Sequence, residues 1–388
     1  MPSRTKKSTP SNVLARSFAC AKVIIAGEHA VVYGAPAIAA PVFSMEIQLT
    51  FTRLERLTSL RLPGARPTLL GGKEDTDEEE VRDQVDRVAQ WSPETIQELK
   101  EEAYQVLRKF ILEKNDREMR PWKEVESLLF HLSGTSNLLP GAGLGASASL
   151  SVSLIRGLSS VFGYVLTADE IAQLANQLER RFHGNPSGLD AAVISQRQTI
   201  FFQKGFGPTP LQVSPLLHEN LILSEWPFAL IDTGTRSSTL QMVEKAAPYF
   251  APKGEVDQGL LRAFRTAVEA VRMGLESGQA QFVKDGMESC SQLLAHVGVV
   301  SPQLHESLAE AQDCGTVACK PTGAGGGGCL LALLPPTKAE LCLSRLRSKF
   351  GRDRVYTMNL PSTKGANCQF VPNPHFTQNR EQESYAIF

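Results

Sequence analysis

Pro140-Gly141-Ala142-Gly143-Leu144-Gly145-Ala146-Ser147-Ala148 runs straight into a long apolar segment, and how it is read decides the fold around it. Three glycines permit backbone conformations closed to residues with a Cβ and let the chain come close to a ligand. Behind them Ala148, Val152, Ile155, Leu158 and Phe162 recur at helical spacing, which predicts a buried helix starting at about Ala146. Such a helix turns its unpaired N–H groups and the positive end of its dipole toward the glycines, an anion site suited to phosphate. No Gly-Lys-Ser/Thr follows and these glycines are not spaced as the G-x-G-x-x-G of a dinucleotide site, so a nucleotide held here must draw its lysine from elsewhere in the chain. A plain strand-to-helix turn is the alternative reading of this stretch alone.

Composition narrows the partners. The 388 residues suffice for two domains with sizeable cores. Forty basic against 41 acidic side chains leave a net charge of -1, which supports neither nucleic acid nor a membrane surface as the main partner. Cys20, Cys290, Cys314, Cys319, Cys329, Cys342 and Cys368 form no C-x-x-C and no zinc spacing with histidines, so they read as reduced thiols of a cytoplasmic protein. No segment approaches the roughly 20 apolar residues of a membrane span. Met1 to Ser11 is basic and polar without the apolar core of a secretory signal, and residues 1–16 are expected to form a disordered tail.

Toward the N-terminus, Ala21-Lys22-Val23-Ile24-Ile25-Ala26 reads as a short buried strand carrying one lysine, ending at Gly27. Glu28 and His29 follow in a turn, where they could meet a polar ligand, or where Glu28 could simply pair with a snorkelling Lys22. Lys22-Val23, five residues, then His29-Ala30 also loosely fits a peroxisomal import pattern, though inside a predicted strand. Strand alternation continues from Ser44 to Leu54. An acidic insert at about 71–90 reads as a solvated face, with a helix from Pro93 to Glu113 after it. Thr167-Ala168-Asp169-Glu170 has capping-box spacing and opens a helix with Ile171, Leu174, Leu178 and Phe182 on one face and Glu179 just off it. His183-Gly184-Asn185-Pro186-Ser187-Gly188 ends it, and Asp190 comes next, able to cap the following helix.

Residues from Lys204 to Leu221 read as loop, and a strand at 228–232 opens the second half. Helices are predicted there at 238–250, 256–277, 279–296, 302–314 and 337–350, with strands at 330–334 and 354–358. Lys320-Pro321-Thr322-Gly323-Ala324-Gly325-Gly326-Gly327-Gly328-Cys329 interrupts them as a second place where backbone approaches a ligand or packs too tightly for side chains. The alternation predicts an α+β fold rather than a doubly wound parallel sheet. The expected domains are 17–224 and 225–375, with a C-terminal tail at 376–388.

Four motifs, Lys22 to Gly34, Pro140 to Ala148, His183 to Asp190 and Lys320 to Cys329, together resemble the GHMP kinase superfamily of galactokinase, homoserine, mevalonate and phosphomevalonate kinases. The first, third and fourth are most similar to its mevalonate kinase family. The resemblance implies a two-domain fold with its active site in the interdomain cleft, ATP and Mg²⁺, and phosphorylation of the primary hydroxyl of (R)-mevalonate. It places Asp190 as base with Lys22 beside it. Nucleotide binding falls on Lys22, Ser136, Gly141, Ala142, Gly143, Leu144, Gly145, Ala146 and Ser147. Mg²⁺ falls on Ser147 and Glu179, and substrate on Glu28, His29, Asp190 and Thr239. Lys204 and Arg197, both downstream of Asp190, are candidate cations for the substrate carboxylate. The family further implies a possible homodimer. It often has Pro-Gly where this chain has Cys20-Ala21, two serines where it has Ala146-Ser147, and a glycine pair at Gln196-Arg197-Gln198. Another small-molecule kinase of the superfamily, such as phosphomevalonate kinase or galactokinase, and a catalytically silent nucleotide-binding regulator are the alternative readings.

Overall fold

The computed structural model describes residues 13–53, 92–114, 130–205, 211–216 and 227–360. The first strand, β1 (Val13–Ala26), and β2 (Pro36–Arg53) pair antiparallel along most of their length, with register shifts at Cys20/Ala21 and Ile24/Ala26. β3 (Phe130–Ser136) adds to the far end of β2, and β4 (Ile200–Gln203) to its near end. β5 (Gln212–Pro215) pairs with β4 and closes a five-stranded sheet. A second sheet of four strands follows in the order β7 (Ala318–Pro321), β8 (Cys329–Leu333), β6 (Phe228–Asp232), β9 (Val355–Met358). All pairings in both sheets are antiparallel, as an α+β chain requires.

Helices cover the first sheet: α1 (Pro93–Glu113), α2 (Ala146–Val161), α3 (Ala168–His183) and α4 (Leu189–Gln196). α2 is buried on nearly every side and meets β1 through hydroxyls as well as apolar groups. Ser149 Oγ donates to the Cys20 carbonyl (2.8 Å), and the Ser17 and Ser153 hydroxyls pair at 2.9 Å. Small side chains allow this close approach, and each buried hydroxyl in it has a partner, so burial carries little cost. The capping box at the start of α3 forms as read, with Glu170 N–H donating to Thr167 Oγ1 and Thr167 N–H to Glu170 Oε2. The second half supplies α5 (Thr239–Phe250), α6 (Gln258–Ser277), α7 (Ala280–His296), α8 (Pro302–Asp313) and α9 (Ala339–Phe350).

Of the elements that differ from the sequence reading, three have a plain physical reason. β1 begins at Val13, so residues 13–16 belong to the sheet and not to a tail. Their side chains are only partly buried, which blunts the apolar signal. β5 forms inside the stretch read as loop, as an edge strand ending at Pro215, where a missing N–H costs nothing. Ser238 caps α5 from outside by accepting from Gln241 N–H, so that helix starts one residue later than predicted. The acidic insert, the C-terminal tail and Cys368 lie outside the described residues. Cys20, Cys290, Cys314, Cys319, Cys329 and Cys342 are free thiols, all buried. Among the described residues no helix is long and apolar enough to cross a membrane.

Candidate active site

A cavity of about 750 Å³ collects residues from both halves of the chain: β1, the turn after it, the first glycine loop, α3, the 185–191 segment, the start of α5, and Gly323 and Ala324. Lys22 lies in the all-buried part of β1 and is itself 3% exposed. A lysine there must be paired. Its ammonium stands 3.2 Å from Asp190 Oδ2 and donates to the Gly143 carbonyl at 3.1 Å, while its backbone N–H donates to Leu144 O at 3.0 Å. β1 and the first glycine loop are thus tied at both main chain and side chain. Asp190 sits in the first turn of α4 and is 32% exposed, the open member of the pair.

The glycine loop ends in Gly145, left-handed at φ +73°, and α2 starts directly behind it. Ser147, in the first turn of α2, donates to Glu179 Oε2 at 2.9 Å. Ser151, one turn on, donates to the other oxygen at 2.9 Å. His183 Nε2 lies 3.1 Å from Ser147 Oγ and, since that hydroxyl donates to Glu179, acts as donor to it. Glu179 is 3% exposed, and burial pushes its carboxyl up to about 7 against the opposing pull of the two serine hydroxyls. Burial likewise lowers His183, so it stays neutral beside them at neutral pH.

Glu28 and His29 occupy the turn after β1 as read, but Glu28 does not pair with Lys22. Its carboxylate is held by Lys320 at the entrance to the second glycine loop. His29 stands at φ +56°, and its Nε2 donates to the Ala324 carbonyl at 2.8 Å. Thr322 Oγ1 accepts from Ile24 N–H at 2.9 Å, stitching that loop to β1 as well.

The sequence and the fold have counterparts among known proteins. The GHMP kinases N terminal domain model matches residues 103–197, and the GHMP kinases C terminal model matches 273–352. The mevalonate kinase of Thermococcus sibiricus is 30% identical over 336 residues, covering 83% of this chain and 89% of its own length. This chain belongs to the mevalonate kinase family. The family's Pyrococcus furiosus member is 29% identical over 331 residues, with the same coverage on both sides. A mevalonate kinase from L. major, solved in complex with R-mevalonate, superposes with a TM-score of 0.63 at 20% identity, covering 93% of this chain and 99% of that one. A Streptococcus pneumoniae phosphomevalonate kinase superposes nearly as well, at 0.62 and 16% identity over 89% of this chain and 99% of its own. At those identities the solved structures speak to fold. Membership in the mevalonate kinase family makes the chain an enzyme, a kinase with a mixed helix and sheet fold.

Lys22, Glu28, His29, Gly141 to Ser147, Glu179, Asp190 and Thr239 all line the cavity. Three expected residues do not. Ser136 ends β3 and accepts from Leu138 N–H at 3.1 Å. Arg197 lies over the Phe43 ring, 5.0 Å from its centroid. Lys204 donates to Asn185 Oδ1 at 3.3 Å, and Asn185, not Lys204, reaches the wall. Two residues went unassigned in the sequence. His183 was read as a helix stop, although its i+4 spacing from Glu179 was visible. Lys320 opens the second glycine motif, and its signal is the one Lys22 carries, a lysine inside a buried strand.

Proposed function

We propose that the protein transfers the terminal phosphoryl group of ATP to the primary hydroxyl of (R)-mevalonate, giving 5-phosphomevalonate and ADP. One observation carries this reading: Lys22, Asp190, the first glycine loop and the Ser147–Glu179 pair share the wall of one cavity. Phosphoryl transfer asks a protein for positioning and electrostatics more than for covalent chemistry. Amides of Gly141 to Ser147 cradle the phosphates. Asp190 accepts the proton of the attacking hydroxyl. Lys22, at 3.2 Å, pairs with Asp190 and stabilises the alkoxide that develops.

Glu179 and Ser147 fit a hard cation. Among the described residues no cluster of three or more His, Cys, Asp or Glu is placed to hold a metal. Mg²⁺, however, takes few protein oxygens and keeps its waters, and a deeply buried carboxylate next to a hydroxyl offers such a seat. Bound there, Mg²⁺ would neutralise charge on the phosphates. His183, donating to Ser147, orients that hydroxyl. Glu28, His29 and Thr239, which line the cavity, contact the acceptor, whereas Lys204 and Arg197 do not reach it.

The acceptor is assigned on charge. Lys22 is the one lysine or arginine among the described residues lining the cavity, which suits an acceptor without a phosphate of its own. Coupled ADP release from purified protein tests this with mevalonate, phosphomevalonate and galactose. Turnover is expected with mevalonate. Turnover with either of the others and none with mevalonate moves the assignment, and no turnover with any leaves a silent nucleotide binder.

A further inference from the structure

Phosphoryl transfer as described makes no use of Lys320. Its side chain is 0% exposed, so its ammonium needs a full set of partners. It has three: the Glu28 carboxylate at Oε1, the Pro321 carbonyl at 2.6 Å and the Ile24 carbonyl at 3.3 Å. The ammonium is saturated. Lys320 belongs to β7 of the second sheet, whereas Glu28 follows β1 of the first, so the contact also spans the two halves of the chain.

Glu28 is not saturated. It is 1% exposed, it lines the cavity, and its Oε2 is buried with no hydrogen-bond partner. A charged oxygen removed from water and left unpaired is costly, and natural sites seldom carry one without a use. With Oε1 taken by Lys320, Oε2 is the oxygen left without a donor, in a residue that lines the cavity.

We infer that Lys320 is a positioning residue for the acceptor: it holds Glu28 so that Oε2 accepts a hydrogen bond from a hydroxyl of the substrate other than the reacting one. In mevalonate, the acceptor assigned above and on which this inference rests, that group is the tertiary hydroxyl. An anionic oxygen repels carboxylate and phosphate, so the acidic end of the acceptor points away from Glu28. The pair therefore selects for a neutral hydroxyl midway along the chain. An acceptor lacking it leaves Oε2 unpaired, the situation that gives hydrogen-bonding sites their largest discrimination.

Steady-state kinetics with mevalonate and with its 3-deoxy analogue, 3-methyl-5-hydroxypentanoate, test this on wild type, E28Q, K320M, K320R and the E28Q/K320M double variant. Wild type is expected to prefer mevalonate by roughly 10²-fold or more in kcat/KM. K320M should raise the KM for mevalonate by about tenfold or more and erase most of that preference, with nucleotide affinity held within about twofold. The double variant should be no worse than the poorer single one, because both remove one interaction. Additive losses, nucleotide affinity falling in step with acceptor affinity, or a wild type indifferent to the missing hydroxyl each overturn the inference. Should K320M not fold, K320R and the double variant carry the same comparison, and the wild-type preference needs no variant. No turnover of mevalonate by wild type would instead sink the acceptor assignment.

Discussion

The two glycine loops are nearly alike in composition and differ in what surrounds them. In the first, every residue from Gly141 to Gly145 lines the cavity, and a 16-residue helix starts immediately behind. In the second, only Gly323 and Ala324 reach it. The rest is consumed by packing: Gly326 N–H donates to Val299 O at 2.6 Å, Gly328 N–H to Thr235 O at 2.7 Å, and Cys329 N–H to Ala142 O at 3.1 Å. One loop therefore opens onto the cavity, and the other uses its backbone in packing that includes the first loop. Glycine content does not separate these uses. How much of each loop reaches the cavity does.

The contrast is sharpest at the chemistry itself, where Asp190→Asn should lower kcat by about 10³-fold while nucleotide affinity stays within about twofold. Coupled ADP release and a nucleotide titration check it, and equal loss of both would make Asp190 structural. Next comes Gly145→Ala. Its Cβ would stand 2.9 Å from Lys22 Cε and 3.3 Å from Asp190 Oδ2, so it should displace that pair and cost roughly 10²-fold in kcat. Gly328→Ala is the counterpart: at φ +81° its Cβ would stand 2.7 Å from the Ala142 carbonyl oxygen, which is backbone and cannot swing away. It should lower the melting temperature by roughly 5 to 10 °C and cost less in kcat than Gly145→Ala. If both glycine variants damage kcat alike and stability alike, the division of labour between the loops is wrong.

A smaller effect concerns pH. The Glu179 carboxyl, raised from an ordinary 4.5 to about 7 by burial, binds its proton more tightly folded than unfolded. Its contribution to stability is therefore complete below pH 4.5 and is lost as pH rises toward about 7. Melting scans of metal-free protein should drift downward by a few degrees over that window, and Glu179→Gln should flatten the drift. A Glu179→Gln protein that keeps the full slope would assign it to another group.

The helices of both halves, the capping box and the strand at 228–232 were readable in sequence because each is written in local periodicity and end residues. Edge strand β5 was not, since three prolines and a polar face leave only pairing with β4 to define it. The glycine loop and the candidate lysine and aspartate could be named from their motifs. His183 could not be given its place, because its contact with Ser147 depends on how α3 packs against α2.

By itself, the sequence determined where the helices start and stop, that the sheets are antiparallel-compatible, and which short motifs carry charge beside glycine. Only tertiary structure decided which charge meets which. Read locally, Glu28 could pair with Lys22 or meet a polar ligand; folded, Lys22 meets Asp190, and Glu28 meets Lys320 from 292 residues away. The reason is physical. Hydrophobic period and capping act within a few turns of chain, whereas a buried charge takes whichever opposite charge the packing of distant strands delivers, since leaving it unpaired costs more than any local preference can return.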